Sequence, residues 1–178
     1  MSTPGFLASS FFVALGGAFG AWLRYLAGGG WTRAIGPVAA SAFPWATLSV
    51  NLIGSFAMGL LAGWLARHGQ GGEQWRLLLG VGLLGGFTTF SAFSLEIGLM
   101  IERGAAGTAA LYAAVSLAGG IAGLFAGLLA MRALANRSLA KLTAIDPDPI
   151  GAWRRDDRMA IRGLALLELH AAGIRLKS

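Results

Sequence analysis

The sequence predicts an all-α membrane protein of four transmembrane helices, the third of them broken. Three observations carry this. Of 178 residues, 56% are hydrophobic and only 12% charged, where a soluble domain averages about 25% charged. The charges are also badly mixed: none precedes Arg24, and 34–66, 77–95 and 104–131 contain no Asp, Glu, Lys or Arg. Finally, the third apolar stretch carries the run GGFTTFSAFSLE, residues 85–96, in which adjacent glycines and threonines are poor helix formers. A hydrocarbon core takes about 20 residues of helix, so the spans are expected near 6–26, 45–66, 76–101 and 106–131. A soluble helical bundle would need polar helix faces, and these segments are apolar nearly all round.

The first span follows MSTPG and has no Lys or Arg before it, unlike a removable signal peptide with its basic start. Residues 27–44 are rich in glycine and hold Pro37 and Pro44, and are expected to be a loop. The second span, ATLSVNLIGSFAMGLL, places Asn51 among apolar residues, and the polar stretch RHGQGGEQ, 67–74, closes it. The third span ends at a short turn around Glu102, Arg103 and Gly104. Such short loops make neighbours antiparallel, so both termini and the second loop share one side. Small residues recur every fourth position: Gly16 and Gly20; Ser55, Gly59 and Gly63; Gly119, Gly123 and Gly127. Faces of this kind let helices approach closely in lipid, either within one chain or between two. Four spans of this size hardly enclose a polar path alone, which favours an oligomer.

The net charge of +6 divides into +2 over residues 1–131 and +4 over 132–178. Arg67 and Arg76 on one side face Arg33 and Arg103 on the other, so the first part is nearly unbiased in orientation. The basic tail favours a cytoplasmic C-terminus. Asp146-Pro-Asp-Pro149 breaks any helix, and 153–169 reads either as an interfacial helix dipping Trp153 and Ile161 into the headgroups or as a loosely ordered appendage. The sequence divides accordingly into a four-span domain, 1–131, and a basic tail, 132–178.

Several chemistries are excluded. There is no cysteine, and His68 and His170 lie in a loop and the tail, which leaves too few ligands for a zinc or iron site. No nucleophile–base set is visible, no GxxxxGK[ST] run occurs, and the positives flank a membrane domain rather than forming a nucleic-acid patch. What remains is a small set of polar and aromatic groups in the spans. Asn51 needs partners in lipid, either a neighbouring helix or an ion. Glu96 is costly there and a functional candidate. Arg24 stands near a span end. Tyr112 and Ser116, four apart, share a helix face, as do Phe90 and Phe93. Ring edges are positive, and Asn, Ser, Thr and Tyr supply N–H and O–H donors. Two phenylalanines on a span are ordinarily packing; beside these donors they could instead replace part of an anion's hydration shell while holding it weakly enough to leave.

The segments GGAFGAWLRY (16–25), ATLSVNLIGSFAMG (46–59) and GGFTTFSAFSLE (85–96), with Tyr112 and Ser116, resemble the fluoride channels called Fluc or CrcB over residues 6–131. The resemblance implies a passive, selective fluoride channel in the bacterial inner membrane that exports fluoride and lowers its toxicity. It implies four-span subunits assembled as an antiparallel, dual-topology dimer. The pore residues would be Phe90, Phe93, Asn51, Tyr112, Ser116 and Thr89, with Arg24 at the vestibule. Backbone carbonyls of Gly85 and Thr88 from both subunits would hold a structural Na⁺. The chain departs from the family at Ala92, where a second threonine is common, and at Gly120 and Leu124, where the fourth helix often continues its hydroxyls. Its long basic tail opposes free dual insertion, so the partner is either an identical chain or an oppositely oriented homologue. Two other readings make different demands. A small proton-coupled drug exporter wants a carboxylate in the first span, which has none, and a non-transporting scaffold would tolerate loss of the Phe pair and Asn51.

Overall fold

A computed structural model describes residues 5–68 and 72–145, all helical apart from short connections. The elements are α1 (Phe6–Ala42), α2 (Trp45–His68), α3 (73–87), α4 (Phe90–Glu102) and α5 (Ala106–Ile145). Four helical stretches are long and apolar enough to cross a membrane: Phe6–Ala42, Trp45–Arg67, Glu73–Glu102 and Ala106–Arg137. Contacts group the chain into Met1–Ala133 and Leu134–Ser178. Of the second unit the described part is the end of α5, through Ile145. The expectations for the Asp-Pro break, the helix at 153–169 and His170 lie outside the described residues.

One expectation is corrected. Residues 27–42 are not a loop: α1 continues to Ala42 and kinks at Gly36, where φ is 82° and ψ 158°, a region only glycine enters without strain. Pro37 then opens the second piece, a position that suits its fixed φ and missing N–H. Glycines at 28–30 lower helix propensity without ending the helix. The expected turn after α4 is present as a Schellman ending. Gly104 is left-handed (φ 75°), and the N–H groups of Gly104 and Ala105 reach the carbonyls of Ile101 and Met100 at 2.9 Å each.

The third span is broken, as the sequence predicts. α3 ends at Phe87. Thr88 and Thr89 are extended (ψ 159° and 123°) and α4 starts at Phe90. Its first half shows a feature the sequence did not announce: Arg76–Leu84 is wound in the wider π manner, a winding often found at functional sites.

Two close seams hold the helices together. A side chain at Gly16 would strike the backbone of Leu78 and Leu83, and one at Gly20 the backbone of Leu83 and Phe87. Rising numbers on both helices make α1 and α3 a parallel pair. Gly59 meets Leu124 and Gly127, Gly63 meets Met131, and Gly127 meets Phe56 and Leu60, which makes α2 and α5 the second parallel pair. The four-residue spacing of small residues is thus used within the chain, where packing rather than water drives helices together. The fully shielded interior is small, with Tyr112, Met100 and Val50 its largest side chains. Large apolar groups such as Phe11, Phe19, Phe125 and Leu129 face outward, as on elements whose solvent is hydrocarbon.

Gly59→Val is expected to force α2 and α5 apart and lower the melting temperature in detergent, at a cost of about 1–3 kcal/mol from overpacking. Gly28→Ala, where an added Cβ meets nothing within 4 Å, should leave melting unchanged. Equal melting of the two variants would disprove the seam.

Candidate functional site

The broken span sets the chemistry of the site. An unbroken helix sends each N–H to the carbonyl four residues back, so the N–H groups of Thr89 and Ala92 would serve Gly85 and Thr88. Here the Thr89 N–H donates to Asn51 Oδ1 at 2.9 Å. The Ala92 N–H donates to Thr89 Oγ1 at 3.2 Å, an N-cap for α4. Asn51 Nδ2 donates in turn to the Thr89 carbonyl at 3.1 Å. One carboxamide on α2 therefore satisfies both main-chain groups of Thr89, which is buried. Gly54 lets α2 come this close, since a Cβ there would collide with Thr88 Cγ2. The Thr88 N–H and hydroxyl both reach the Leu84 carbonyl, at 3.0 and 2.8 Å. The carbonyls of Gly85 and Thr88 are left without their helical donors. Unwound carbonyls of this kind are what coordinate Na⁺ in membrane proteins, so the donor set fits that ion.

Two cavities flank this region. The first, of about 460 Å³, is lined by Trp31, Trp45, Thr47, Glu96 and Arg103 among others. At its wall Glu96 accepts from Thr47 Oγ1 at 2.5 Å and from Tyr112 Oη at 2.8 Å. The second piece of α1 borders the same cavity, held where Arg103 donates to the Ser41 carbonyl at 3.3 Å. The second cavity is an open groove of about 360 Å³ whose polar lining is Asn51, Ser55, Thr88 and Ser116. Along α2 the first cavity ends at Thr47 and the second begins at Asn51. Between them Leu48 belongs to the buried cluster with Tyr112, against which Phe93 packs. A run of rings crosses this level. Phe90 lies 5.6 Å from Phe93, Phe93 5.2 Å from Tyr112, and Tyr112 5.5 Å from Phe43.

The residues singled out from sequence thus fall into groups. Asn51, Thr88 and Ser116 share the groove, and Thr89 is tied to Asn51. Tyr112 is fully buried and lines neither cavity; its hydroxyl donates to Glu96 from behind the first cavity's wall. Phe93 is half-buried against Tyr112, whereas the Phe90 ring is 79% exposed on this chain. Gly85 and Arg24 line neither cavity. Arg24 stands one turn beyond Gly20 on α1, past the level at which Gly20 meets Phe87. Sequence reasoning missed Thr47 and left Ser55 among the packing residues. The signal was present: Thr47, Asn51 and Ser55 recur at four-residue spacing on one helix.

An apolar multi-span chain with a main-chain break satisfied by one amide, bordered by polar cavities, is a membrane protein built to handle an ion. Residues 11–128 match the family described as CrcB-like protein, Camphor Resistance (CrcB), and the chain belongs to that family. It is 57% identical over 129 residues to the "Fluoride-specific ion channel FluC" of Novosphingobium aromaticivorans, covering 72% of this chain and all of the relative. It is 52% identical over 136 residues to the protein of the same description from Erythrobacter litoralis, covering 76% of this chain and all of that relative. The Caulobacter vibrioides protein so described is 54% identical over 121 residues, 67% of this chain and 92% of the relative.

Asn51→Ala leaves the N–H and carbonyl of the buried Thr89 without their partner, which costs about 1–3 kcal/mol for each buried group left unpaired. The variant should melt well below the wild type in detergent. An unchanged melting curve would show that the break does not need the amide.

Proposed function

We infer that this chain is a passive fluoride channel. The observation that carries the reading is the Asn51-held break beside the groove, in a chain whose close relatives bear the description of fluoride-specific ion channels. Fluoride is small and strongly hydrated, so taking it out of water needs several donors at once. Asn51 spends one of its two amide protons on Thr89 and keeps the other, since an amide nitrogen has two. Ser116 Oγ is buried with no hydrogen-bond partner among the described residues, and a hydroxyl in that state suits a passing ion. No fixed cation stands in the groove to trap the anion. At the other cavity the Glu96 carboxyl group accepts from two O–H donors, and Arg103 shares that wall.

The conducting unit is an antiparallel, dual-topology dimer of this chain, or of this chain with an oppositely oriented homologue. In it the exposed Phe90 ring and the open side of the groove meet a second subunit, and the edges of Phe90 and Phe93 contact the ion together with Tyr112, Ser116 and Thr89. Arg24 serves the vestibule. The freed carbonyls of Gly85 and Thr88, paired with those of the partner, would hold a structural Na⁺, which supplies positive charge and ties the two breaks together. Residues 1–131 are the channel domain and 132–178 a tail outside the conduction path.

The location is the bacterial inner membrane. Hydrofluoric acid enters neutral and releases fluoride in the less acidic cytoplasm. A membrane potential negative inside then drives the anion out with about 2.3 kcal/mol per 100 mV, so a passive path suffices.

Purified protein in liposomes should release fluoride when a potassium ionophore is added, while chloride stays trapped. Equal release of both would refute selectivity. Phe90→Ile should cut fluoride release severalfold with the assembly intact by size-exclusion chromatography, and an undiminished rate would remove that ring from the pore.

A further inference from the structure

The α5 wall of the groove loses its hydroxyls beyond Ser116. One and two turns on stand Gly120 and Leu124, and the remaining lining there is Leu117, Ile121 and Met58. An ion leaving Ser116 in that direction meets no donor from α5. The opposite wall supplies one. Ser55, one turn beyond Asn51 on α2, lines the same groove, and a Cβ placed on Gly120 would lie 3.4 Å from Ser55 Oγ. The serine hydroxyl therefore occupies the space into which a side chain at 120 would project.

The hydrogen bonds single Ser55 out. A serine in a helix ordinarily turns its hydroxyl back on a carbonyl three or four residues earlier. Ser10, Ser41, Ser49 and Ser94 do so, onto Phe6, Val38, Ala46 and Phe90 at 2.8–3.0 Å. Ser55 is half-buried, yet its hydroxyl makes no such bond and has no partner among the described residues. Ser116 Oγ, facing the same groove, is buried and equally unpartnered. Buried polar groups are nearly always paired, so the unpaired Ser116 hydroxyl calls for a ligand, and the Ser55 hydroxyl, open to the same groove, is free to donate to it. On α2 the neighbours at four-residue spacing are both engaged, Thr47 donating to Glu96 and Asn51 holding Thr89. Ser55 is the third polar group of that stripe.

We propose that Ser55 is an ion-contacting residue of the channel, its hydroxyl replacing on α2 the donor that Gly120 and Leu124 lack on α5. The groove then offers donors at successive levels, Asn51 and Ser116 first and Ser55 one turn beyond. The proposal rests on the channel reading, and one assay separates the two. Wild-type protein in liposomes is measured first, and failure to release any fluoride would overturn the channel reading and this one with it. Given wild-type flux, Ser55→Ala should conduct about tenfold more slowly, the loss of one hydrogen bond to a charged group, with melting and assembly as in wild type. Ser55→Thr, which keeps the hydroxyl, should stay near the wild-type rate. Ser55→Ala with Gly120→Ser puts a hydroxyl back into the same space from the other helix and should recover most of the flux, which a merely structural serine would not predict. Should the alanine variant fail to assemble, Ser55→Cys, similar in shape but a weak donor, carries the same expectation of slow flux. Undiminished flux in the alanine or cysteine variant, or no recovery in the swapped pair, would overturn the proposal.

Discussion

Everything in the third span turns on one carboxamide. An extended main chain inside a bilayer leaves N–H and carbonyl groups with no water to take them, and such backbone survives only where protein satisfies it or a polar cavity receives it. Asn51 meets the first condition by behaving as a piece of strand: its Oδ1 accepts from the Thr89 N–H and its Nδ2 donates to the Thr89 carbonyl. The same two bonds fix the orientation of the amide, because reversing it would set donor against donor. They also decide what is left over. Diverting the Thr89 N–H to Asn51, and the Ala92 N–H to the Thr89 hydroxyl, leaves the Gly85 and Thr88 carbonyls without helical donors. Two side chains thus select which oxygens the break frees, Asn51 the Gly85 carbonyl and Thr89 that of Thr88.

How much of this the sequence disclosed differs from element to element, for physical reasons. Hydrocarbon thickness makes the second and fourth spans legible as charge-free runs, whose helices include the expected stretches, and the third as a run free of charge from 77 to 95. The break was legible because GGFTTF combines poor helix formers with hydroxyls that can cap the next helix. The extent of α1 was not, since glycine and proline lower helix propensity in the same way whether they end a helix or kink it. Only the φ of Gly36, with Pro37 taking the first position of the next turn, distinguishes the two. The π winding of 76–84 has no local signal beyond apolar residues and glycine. Asn51 stood out as the lone amide in its span, but its partner lies 38 residues away, and no periodicity reaches that far. Tyr112 and Ser116 share a face by spacing, yet only Ser116 lines the groove, because the tyrosine is long enough to reach Glu96 on α4.

The glycine seams explain why these polar contacts are available at all. Hydrogen bonds of about 3 Å between helices require backbones closer than leucine or phenylalanine would permit. Gly54 admits the Thr88 side chain beside Asn51, and Gly16 and Gly20 seat the half of the broken span that leads to the break. Since apolar surface is not expelled by lipid, close packing and interhelical hydrogen bonds hold the bundle together. The two depend on each other here, so a single added methyl group on a seam acts at a distance on the polar site.

The helix α2 ties these features together through simple geometry. With 3.6 residues per turn, each four-residue step rotates the side chain by about 40°. A stripe at 47, 51, 55, 59 and 63 therefore does not stay on one face but sweeps around the helix. Thr47 meets Glu96 on α4, Asn51 meets the break, Ser55 comes over Gly120 on α5, and Gly59 and Gly63 pack on α5 beyond it. The stripe changes from polar to small where the helix passes from cavity wall to seam. A strict seven-residue pattern would have kept one face on one neighbour. The four-residue pattern brings successive polar groups to successive levels, so that one helix serves the carboxyl group, the break and the groove in turn.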